Sequence, residues 1–248
     1  MAKNHNYKTG TYNNLLLHMI RTKASNITLK NLRCKQSLKA SGYYGVNGGF
    51  FNFSTASTNP RRVISLAKVD GAVVGPNPND GNSNNWNGGG IIVWNGKQLS
   101  ALFNKPNTDA ADIAGTSTAG TWAQGGISLW LGYSDYNTAV ATGNGGTRPA
   151  QTQNNSRSAR TALVADMESN YVYLIVTETP CDYKNLRKAI QAYFNISEGN
   201  KVDSRYAGLM LDGSGSTQMK VNRENGEDIE ITGDGRSLAE VIVLKDET

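Results

Sequence analysis

Residues 158–177 read SARTALVADMESNYVYLIVT, and this stretch decides the fold class. Its two apolar runs, 159–166 and 171–177, flank a short polar turn at 168–170. Apolar runs of strand length that are bounded by turn residues are typical of β-strands. The stretch therefore predicts two adjacent strands joined by a short turn.

Further strands are predicted on both sides of this stretch. The predicted strands and hairpins lie at 15–20, 27–32, 43–53, 63–75, 91–102, 206–211 and 238–244. In the hairpins at 63–75 and 91–102, the dipeptides Asp70-Gly71 and Asn95-Gly96 satisfy the positive φ that a type I′ turn demands. One amphipathic helix is predicted at 183–195, where apolar residues recur at i, i+3, i+4 and i+7.

The composition also favours strands, turns and long loops. Of 248 residues, 27 are Gly and 28 are Asn, and the 38% that are apolar suffice for a core. We therefore predict an α+β fold: a β-rich single domain with a mixed or antiparallel sheet, few flanking helices and long Gly/Asn-rich loops. The domain is expected to span 15–248, after a flexible N-terminus at 1–14.

No apolar run reaches the roughly 18 residues of a membrane helix, and no apolar segment near Met1 suggests a signal peptide. We therefore expect a cytoplasmic or virion-associated protein with no membrane partner. The two cysteines, Cys34 and Cys181, are expected to be free thiols. The usual zinc-ligand spacing is absent, so no metal site is predicted, although the acidic segment 224–234 could hold a divalent cation such as Ca²⁺.

The charge is unevenly distributed along the chain. Residues 1–69 contain eleven basic residues and no acidic one, so the remainder of this +5 chain carries −6. Such a segment indicates either an anionic partner or pairing with the acidic residues near the C-terminus. Nucleic acid is a poor candidate for that partner, because no basic segment with interleaved aromatic residues is present.

Three short motifs could carry chemistry. In residues 47–51, NGGFF, glycines let backbone N–H groups approach a ligand and the Asn47 amide both donates and accepts hydrogen bonds. In residues 158–162, SARTA, Arg160 offers a bidentate fork for phosphate or carboxylate, with the Thr161 hydroxyl beside it. Taken alone, the NGGFF motif also fits a plain turn or bulge, and the SARTA motif also fits an arginine that forms a surface ion pair.

The third motif is LDGSGST at residues 211–217, where an apolar strand ends in Asp212. The following turn is rich in hydroxyl and backbone N–H groups, which can form a nest for an anion. Asp212 could then supply acid, base or nucleophile chemistry. The alternative is an Asx-turn that only caps the strand.

Taken together and in this order, the three motifs resemble the phosphodiester glycosidase family. The resemblance covers about 45–244 and includes matches at 68–71, 123–129, 184–195 and 235–244. Ser214 stands where the family usually has the middle glycine of DGGGS, and 176–180 lacks the family's Asp-Gly-Arg, so Glu178 would replace that carboxylate. Residues 1–44 have no counterpart.

The resemblance implies a hydrolase that cleaves a sugar-1-phosphodiester, such as an N-acetylglucosamine-1-phosphodiester, at the anomeric carbon. Asp212 and Glu178 would be the catalytic carboxylates. The implied substrate-binding residues are Asn47, Gly48, Gly49, Arg160, Thr161, Gly213, Ser214, Gly215, Ser216 and Thr217. No cofactor is implied, and the partner would be a phosphorylated sugar or a nucleotide-like small molecule.

A second class of function uses the same cleft without catalysis. The chain would then bind a phosphodiester or nucleotide-derived ligand, or a wall polymer, and its Asn/Gly/Ser/Thr-rich composition is compatible with a phage origin. The serine at position 214 is the one sequence feature that favours this binding module. The oligomeric state is left open by the sequence.

Overall fold

The structure is a computed structural model that describes residues 4–51, 65–74, 89–103, 117–137 and 156–247. Within these ranges the chain forms two sheets and two α-helices. The strands are β1 (His5–Tyr12), β2 (Leu15–Lys23), β3 (Ile27–Asn31), β4 (Gly45–Asn47), β5 (Ala67–Val69), β6 (Ala72–Val73), β7 (Gly89–Trp94), β8 (Leu99–Phe103), β9 (Trp122–Ser128), β10 (Ser158–Asp166), β11 (Tyr171–Cys181), β12 (Tyr206–Met210), β13 (Met219–Asn222), β14 (Asp228–Ile231) and β15 (Glu240–Leu244). The helices are α1 (Leu38–Ser41) and α2 (Tyr183–Phe194).

The larger sheet has ten strands in the order β1-β2-β11-β10-β12-β9-β5-β6, with β7 paired to β9 and β8 paired to β7. The smaller sheet has five strands in the order β14-β13-β4-β15-β3. All pairings between these strands are antiparallel, so the predicted β-rich fold class is confirmed. The division into two stacked sheets was not predicted.

The main core lies between the two sheets. Leu163 and Leu174 from the larger sheet pack there with Val46 and Ile242 from the smaller one. Because side chains alternate along a strand, the neighbours of these residues point to the opposite face. Both faces of β10 and β11 are buried over most of their length, which explains why the runs at 162–165 and 171–176 are apolar at every position rather than at alternate ones.

Helix α2 covers the outer face of the larger sheet. Asp182 caps its N-terminus by accepting a hydrogen bond from the Asn185 N–H at 2.7 Å. Leu186, Ala189 and Ile190 are fully buried against the sheet. The predicted helix is therefore confirmed, and it ends at Asn195, whose positive φ of 55° is tolerated by asparagine.

The two predicted hairpins differ in their turns. At the first, Asp70 and Gly71 have φ values of 51° and 83°, as a type I′ turn between β5 and β6 requires. The second has a four-residue loop, because Trp94 pairs with Leu99. There the Asn95 side chain accepts from the N–H groups of residues 97 and 98, and this Asx-type bonding replaces the predicted two-residue turn.

The prediction of a flexible segment at 1–14 is wrong for residues 5–12, which form β1. This strand pairs with β2 along its whole length, from His5↔Thr22 to Tyr12↔Leu15. The polar sequence of β1 hides the strand, because it lies at the sheet edge with much of its surface in water. Its start is also held by Asp246, which bonds the Asn4 N–H and His5.

The N-terminal region contacts the acidic C-terminal region at several points. Lys39 pairs with Glu230 at 2.6 Å, and Asn6 donates to Glu224 at 3.2 Å. One basic residue of the N-terminal segment, Lys39, therefore pairs with the acidic C-terminal region, as the intramolecular alternative requires. Neither Cys34 nor Cys181 forms a disulfide, as predicted, and both are buried. Neither of the two helices described has the length and hydrophobicity for a membrane crossing.

Gly45 offers a test of how β4 fits between its neighbours. Its φ is 145°, and an added Cβ would overlap the carbonyl oxygen of Ile242 in β15. We expect Gly45→Ala to lower the free energy of unfolding by at least about 3 kcal/mol, measured by urea denaturation. Gly199→Ala is the control, because an added Cβ there meets nothing within 4 Å. Equal stability of the two variants would contradict this packing.

Candidate functional site

A cleft of about 260 Å³ opens where β10 begins and β12 ends. Its described lining consists of Phe50, Ser156, Arg157, Ser158, Arg160, Asp212, Gly213 and Ser214. Four of these residues were predicted from the sequence as site residues: Arg160, Asp212, Gly213 and Ser214. The structure therefore brings the second and third motifs together at one opening, with Phe50 from the first.

Sheet register explains how Arg160 and Asp212 meet. Ala162 pairs with Met210, and Leu211 N–H continues the ladder by donating to the Thr161 carbonyl at 2.9 Å. Two residues further on, Arg160 and Asp212 come to lie beside each other on the same face of the sheet. The Arg160 guanidinium is close enough to lower the pKa of the Asp212 carboxyl.

Burial nevertheless has the larger effect on Asp212, and it raises the pKa of this carboxyl to about 6. Four groups oppose that rise: the nearby Ser216 hydroxyl, the Gly213 N–H at 2.9 Å from Oδ1, and the positive charges of Arg236 and Arg160. Ser216 Oγ lies near the Asp212 carboxyl, although it forms no well-aligned hydrogen bond with a described group. Asp212 is thus a carboxyl that changes its charge near pH 6.

Arg160 is only 2% exposed, and backbone oxygens hold its guanidinium in place. Nε donates to the Cys181 carbonyl at 3.0 Å, and Nη2 donates to the Ser156 carbonyl at 2.5 Å. Burial lowers the pKa of Arg160, but the group stays cationic at any physiological pH. The structure therefore presents a positive charge at the cleft wall in one fixed orientation.

A second guanidinium, that of Arg236, comes from the loop before β15. It pairs with Asp234, and the two side chains lie directly over Gly215, where an added Cβ would overlap the Asp234 carboxylate. The Arg236 charge also lowers the pKa of Asp212. Arg157 also lines the cleft and donates to the Pro180 carbonyl at 3.2 Å, so the described cleft wall has two cations, Arg157 and Arg160, and Arg236 acts on Asp212 from outside that lining.

The Asn47 side chain lies behind the cleft rather than in it. Nδ2 donates to the Asp212 carbonyl at 2.8 Å, and Oδ1 accepts from the Thr161 hydroxyl at 2.6 Å and the Gln218 N–H at 3.1 Å. Asn47 is 1% exposed and Thr161 is fully buried. Their polar atoms are used within the protein, so we interpret both as residues that position Asp212.

Gly48 and Gly49 are also buried, and their lack of a side chain makes room for Glu240. An added Cβ on Gly48 would lie 2.5 Å from the Glu240 carboxyl carbon, and one on Gly49 would lie 2.5 Å from Cβ of Ser65. The Gly49 N–H donates to Glu240 Oε2 at 3.1 Å. The sequence predicted that a ligand could approach the backbone of these glycines closely. In the structure the group that approaches them is the buried Glu240 carboxyl.

The turn at 213–217 leaves few groups for an anion. The Ser216 and Thr217 N–H groups donate within the turn, to the carbonyls of Gly213 and Ser214, each at 3.1 Å. Ser216 and Thr217 are at most 1% exposed, and their hydroxyls have no hydrogen-bond partner among the described residues. Ser214 is exposed in the cleft wall, so it is the hydroxyl of this turn that a ligand can reach.

Glu178 does not lie in the described lining of the cleft. It follows Thr177, the direct partner of Arg160 in the ladder, and so points to the opposite face of the sheet. Its carboxylate is 60% exposed and lies 3.3 Å from Nε2 of His18. The expected pair of carboxylates, Asp212 and Glu178, is therefore separated by the sheet.

The acidic segment 224–234 uses its carboxylates in ion pairs. Glu227 pairs with Arg223, Glu230 with Lys39 and Lys220, and Asp234 with Arg236. Across the ranges that the structure describes, no group of three or more His, Cys, Asp or Glu side chains could hold a metal ion.

No protein-family model matches the chain, and no curated protein matches its sequence. Solved structures that share its fold include the following two. The catalytic domain of zebrafish N-acetylglucosamine-1-phosphodiester α-N-acetylglucosaminidase, auto-inhibited by its pro-peptide, aligns with a TM-score of 0.63 at 14% identity, over 97% of this chain and 82% of that one. A Burkholderia pseudomallei K96243 protein described as exported aligns with a TM-score of 0.60 at 12% identity, over 93% and 74%. The likeness supports a structural relationship to the glycosidase.

Sequence reasoning missed several residues of the site. Phe50 directly follows the glycines of the first motif, and Arg157 and Ser158 precede Arg160 in the pattern SRSAR, so proximity in sequence could have indicated all three. Glu240 had a weaker signal, a lone charged residue that opens the apolar strand EVIVL. Its contact with Gly48 and Gly49 depends on pairing in the smaller sheet.

Ser214 adopts a positive φ of 59°, which costs a residue with a side chain about 1–2 kcal/mol and glycine almost nothing. Ser214→Gly is therefore expected to raise the free energy of unfolding by about 0.5–1 kcal/mol, since glycine also gains freedom in the unfolded chain. Urea denaturation measures this change. Ser197→Gly, at an exposed serine without positive φ, should lower stability slightly. A lower free energy of unfolding in both variants would show that the contacts of the Ser214 side chain stabilise the fold by more than its backbone conformation costs.

Proposed function

We propose that this protein is a hydrolase that cleaves a sugar-1-phosphodiester at the anomeric carbon. The observation that carries the proposal is Asp212, a carboxyl with a pKa near 6 in a cleft lined by Arg157 and Arg160, with the charge of Arg236 also close enough to lower that pKa. A carboxyl that ionises near neutral pH beside fixed positive charges suits a reaction whose substrate is a phosphate ester. The fold shared with a phosphodiester glycosidase supports the same reaction class.

The cations account for binding of the phosphate. Arg160 is held by the Cys181 and Ser156 carbonyls, so its charge is oriented before the ligand arrives. Oriented charges that do not have to reorganise stabilise developing negative charge more than mobile ones do. The Ser214 hydroxyl and the Phe50 ring are the other groups available to the sugar.

In the proposed step, ionised Asp212 accepts a proton from water as the water oxygen bonds to the anomeric carbon. The bond from that carbon to the phosphate oxygen breaks, and its electron pair leaves with a phosphomonoester. Such a leaving group is much less basic than an alkoxide, so it needs little protonation from a second carboxyl. This agrees with a described cleft lining that contains one carboxyl, Asp212.

Asp212→Asn is expected to lower kcat/KM by at least about 10²-fold while the fold remains intact, because the amide keeps the shape and cannot take a proton. The assay is release of free sugar from a panel of methyl phosphodiesters linked to C1 of N-acetylglucosamine, glucose and galactose. In the unsubstituted protein, kcat/KM should rise with pH through about 6, because Asp212 must lose its proton.

Glu168→Gln is the control for this experiment, since Glu168 is exposed at the far turn between β10 and β11. Turnover that survives in Asp212→Asn and disappears in Glu178→Gln would transfer the catalytic role to Glu178. Tight binding of the phosphodiesters without sugar release would instead favour the binding module.

Arg160→Lys is expected to weaken binding of a sugar-1-phosphodiester by about tenfold, although the charge is kept, because an ammonium cannot reproduce the planar fork that contacts Cys181 and Ser156. Titration calorimetry on Asp212→Asn protein, which is expected not to consume the ligand, measures the affinity. Free sugar should bind with little change. Arg205→Lys, at an arginine paired with Asp166 at the other end of β10, is the control. Equal losses for phosphodiester and free sugar would remove Arg160 from the phosphate site.

A further inference from the structure

Glu240 is a buried carboxyl beside the site that the proposed reaction does not use. It opens β15 in the middle of the smaller sheet and is 2% exposed. The groups that interact with its carboxyl are the Gly49 N–H and the Gln124 amide of β9, both uncharged. Its Oε1 atom has no well-formed hydrogen bond within the described residues.

An ionised carboxylate in such a place would be unfavourable. Transfer of a charge into an apolar interior costs several kcal/mol unless an opposite charge or several hydrogen bonds compensate. Glu240 has one hydrogen bond from the Gly49 N–H at 3.1 Å and no ion pair with a described side chain. Burial accordingly raises its pKa to about 7, so the carboxyl is neutral in mildly acidic solution.

Glu240 is connected to Asp212 through one short segment. The Gly48 N–H donates to the Glu240 carbonyl at 2.9 Å, and the Gly49 N–H donates to its carboxyl. The Gly48 carbonyl in turn accepts from the Asp212 N–H at 3.3 Å. With the bond from Asn47 to the Asp212 carbonyl, the 47–49 segment holds the Asp212 peptide groups on both sides.

We propose that Glu240 is a positioning residue whose neutral carboxyl anchors the 47–49 segment and thereby fixes Asp212 in the cleft. The catalytic part of this inference rests on the function proposed for Asp212. Ionisation of Glu240 would place an uncompensated charge between the sheets, loosen the segment and move Asp212. Activity then requires ionised Asp212 and neutral Glu240, which confines it to a narrow range around pH 6–7.

The test compares the unsubstituted protein with Glu240→Gln, which keeps the shape and the acceptor for Gly49 and cannot ionise. With the phosphodiester panel, kcat/KM of the unsubstituted protein should fall about fivefold between pH 7 and pH 8, as expected for one ionisation. In Glu240→Gln this alkaline decrease should disappear while the rise through about pH 6 remains. If Glu240 had only a structural role, its substitution would change kcat/KM by the same factor at every pH.

A second measurement does not depend on catalysis. Hydrogen-exchange protection factors of the Gly49 and Asp212 amides, measured by NMR, should fall at least tenfold from pH 6 to pH 8 in the unsubstituted protein and stay constant in Glu240→Gln. If no sugar is released but the protection factors change with pH as described, the proposed function is refuted and the positioning role of Glu240 is retained. Identical protection factors in both proteins would overturn the inference about Glu240.

Stability provides the matched control. The raised pKa of Glu240 means that the folded protein binds more protons than the unfolded chain, so stability should fall as pH rises from about 4.5 to about 7. Glu240→Gln should remove the part of that decrease that is due to Glu240, and the part due to Asp212, whose pKa is raised to about 6, should remain. Asp166→Asn affects another buried carboxyl, whose pKa is lowered because hydrogen bonds from Arg205 and Ser169 outweigh its burial. It should lose stability at neutral pH and leave the Gly49 protection factors unchanged.

Discussion

A single buried amide, that of Asn47, joins the two sheets at the cleft. It lies at the end of β4 in the smaller sheet and bonds the Thr161 hydroxyl and the Asp212 carbonyl of the larger one. A buried amide that has partners for both its donor and its acceptor fixes the relative position of the groups it contacts. The placement of Asp212, and so the shape of the cleft, depends on this bridge.

The same region contains most of the buried polar groups that the fold leaves incompletely bonded. Ser216, Thr217, Gln124 and Glu240 each have a side-chain oxygen with no hydrogen-bond partner among the described residues. Unsatisfied buried groups lower stability, and proteins tend to retain them where function requires a particular electrostatic environment. Ser216 lies near Asp212, and Gln124 lies near the Glu240 carboxyl behind Gly49, so the incompletely bonded groups include neighbours of both carboxyls whose pKa is raised.

Two acidic residues illustrate how environment decides a role. Asp212 follows β12, Glu178 lies near the end of β11, and the sequence made Asp212 the first candidate for the catalytic carboxylate and Glu178 the second. In the structure, Asp212 has most of its water replaced by protein and lies near two arginines, whereas Glu178 is 60% exposed beside His18. Alternation of side chains along a strand separates the two residues by the thickness of the sheet. A reaction with a phosphate leaving group can proceed with the one that remains in the cleft.

The sequence by itself determined the strands at 158–177, the helix at 183–195, the β-rich fold class and the candidates Arg160 and Asp212, because apolar periodicity and turn residues act locally. It did not determine that six of the predicted binding residues are buried outside the described cleft lining: Asn47, Gly48, Gly49, Thr161, Ser216 and Thr217. It missed β1, Arg157 and the carboxyl of Glu240 behind the glycines. Those facts depend on strand register and on the packing of one sheet against the other, which bring together residues up to about two hundred positions apart in the chain. Only the tertiary structure decides which side of a strand faces a cleft and which faces the core.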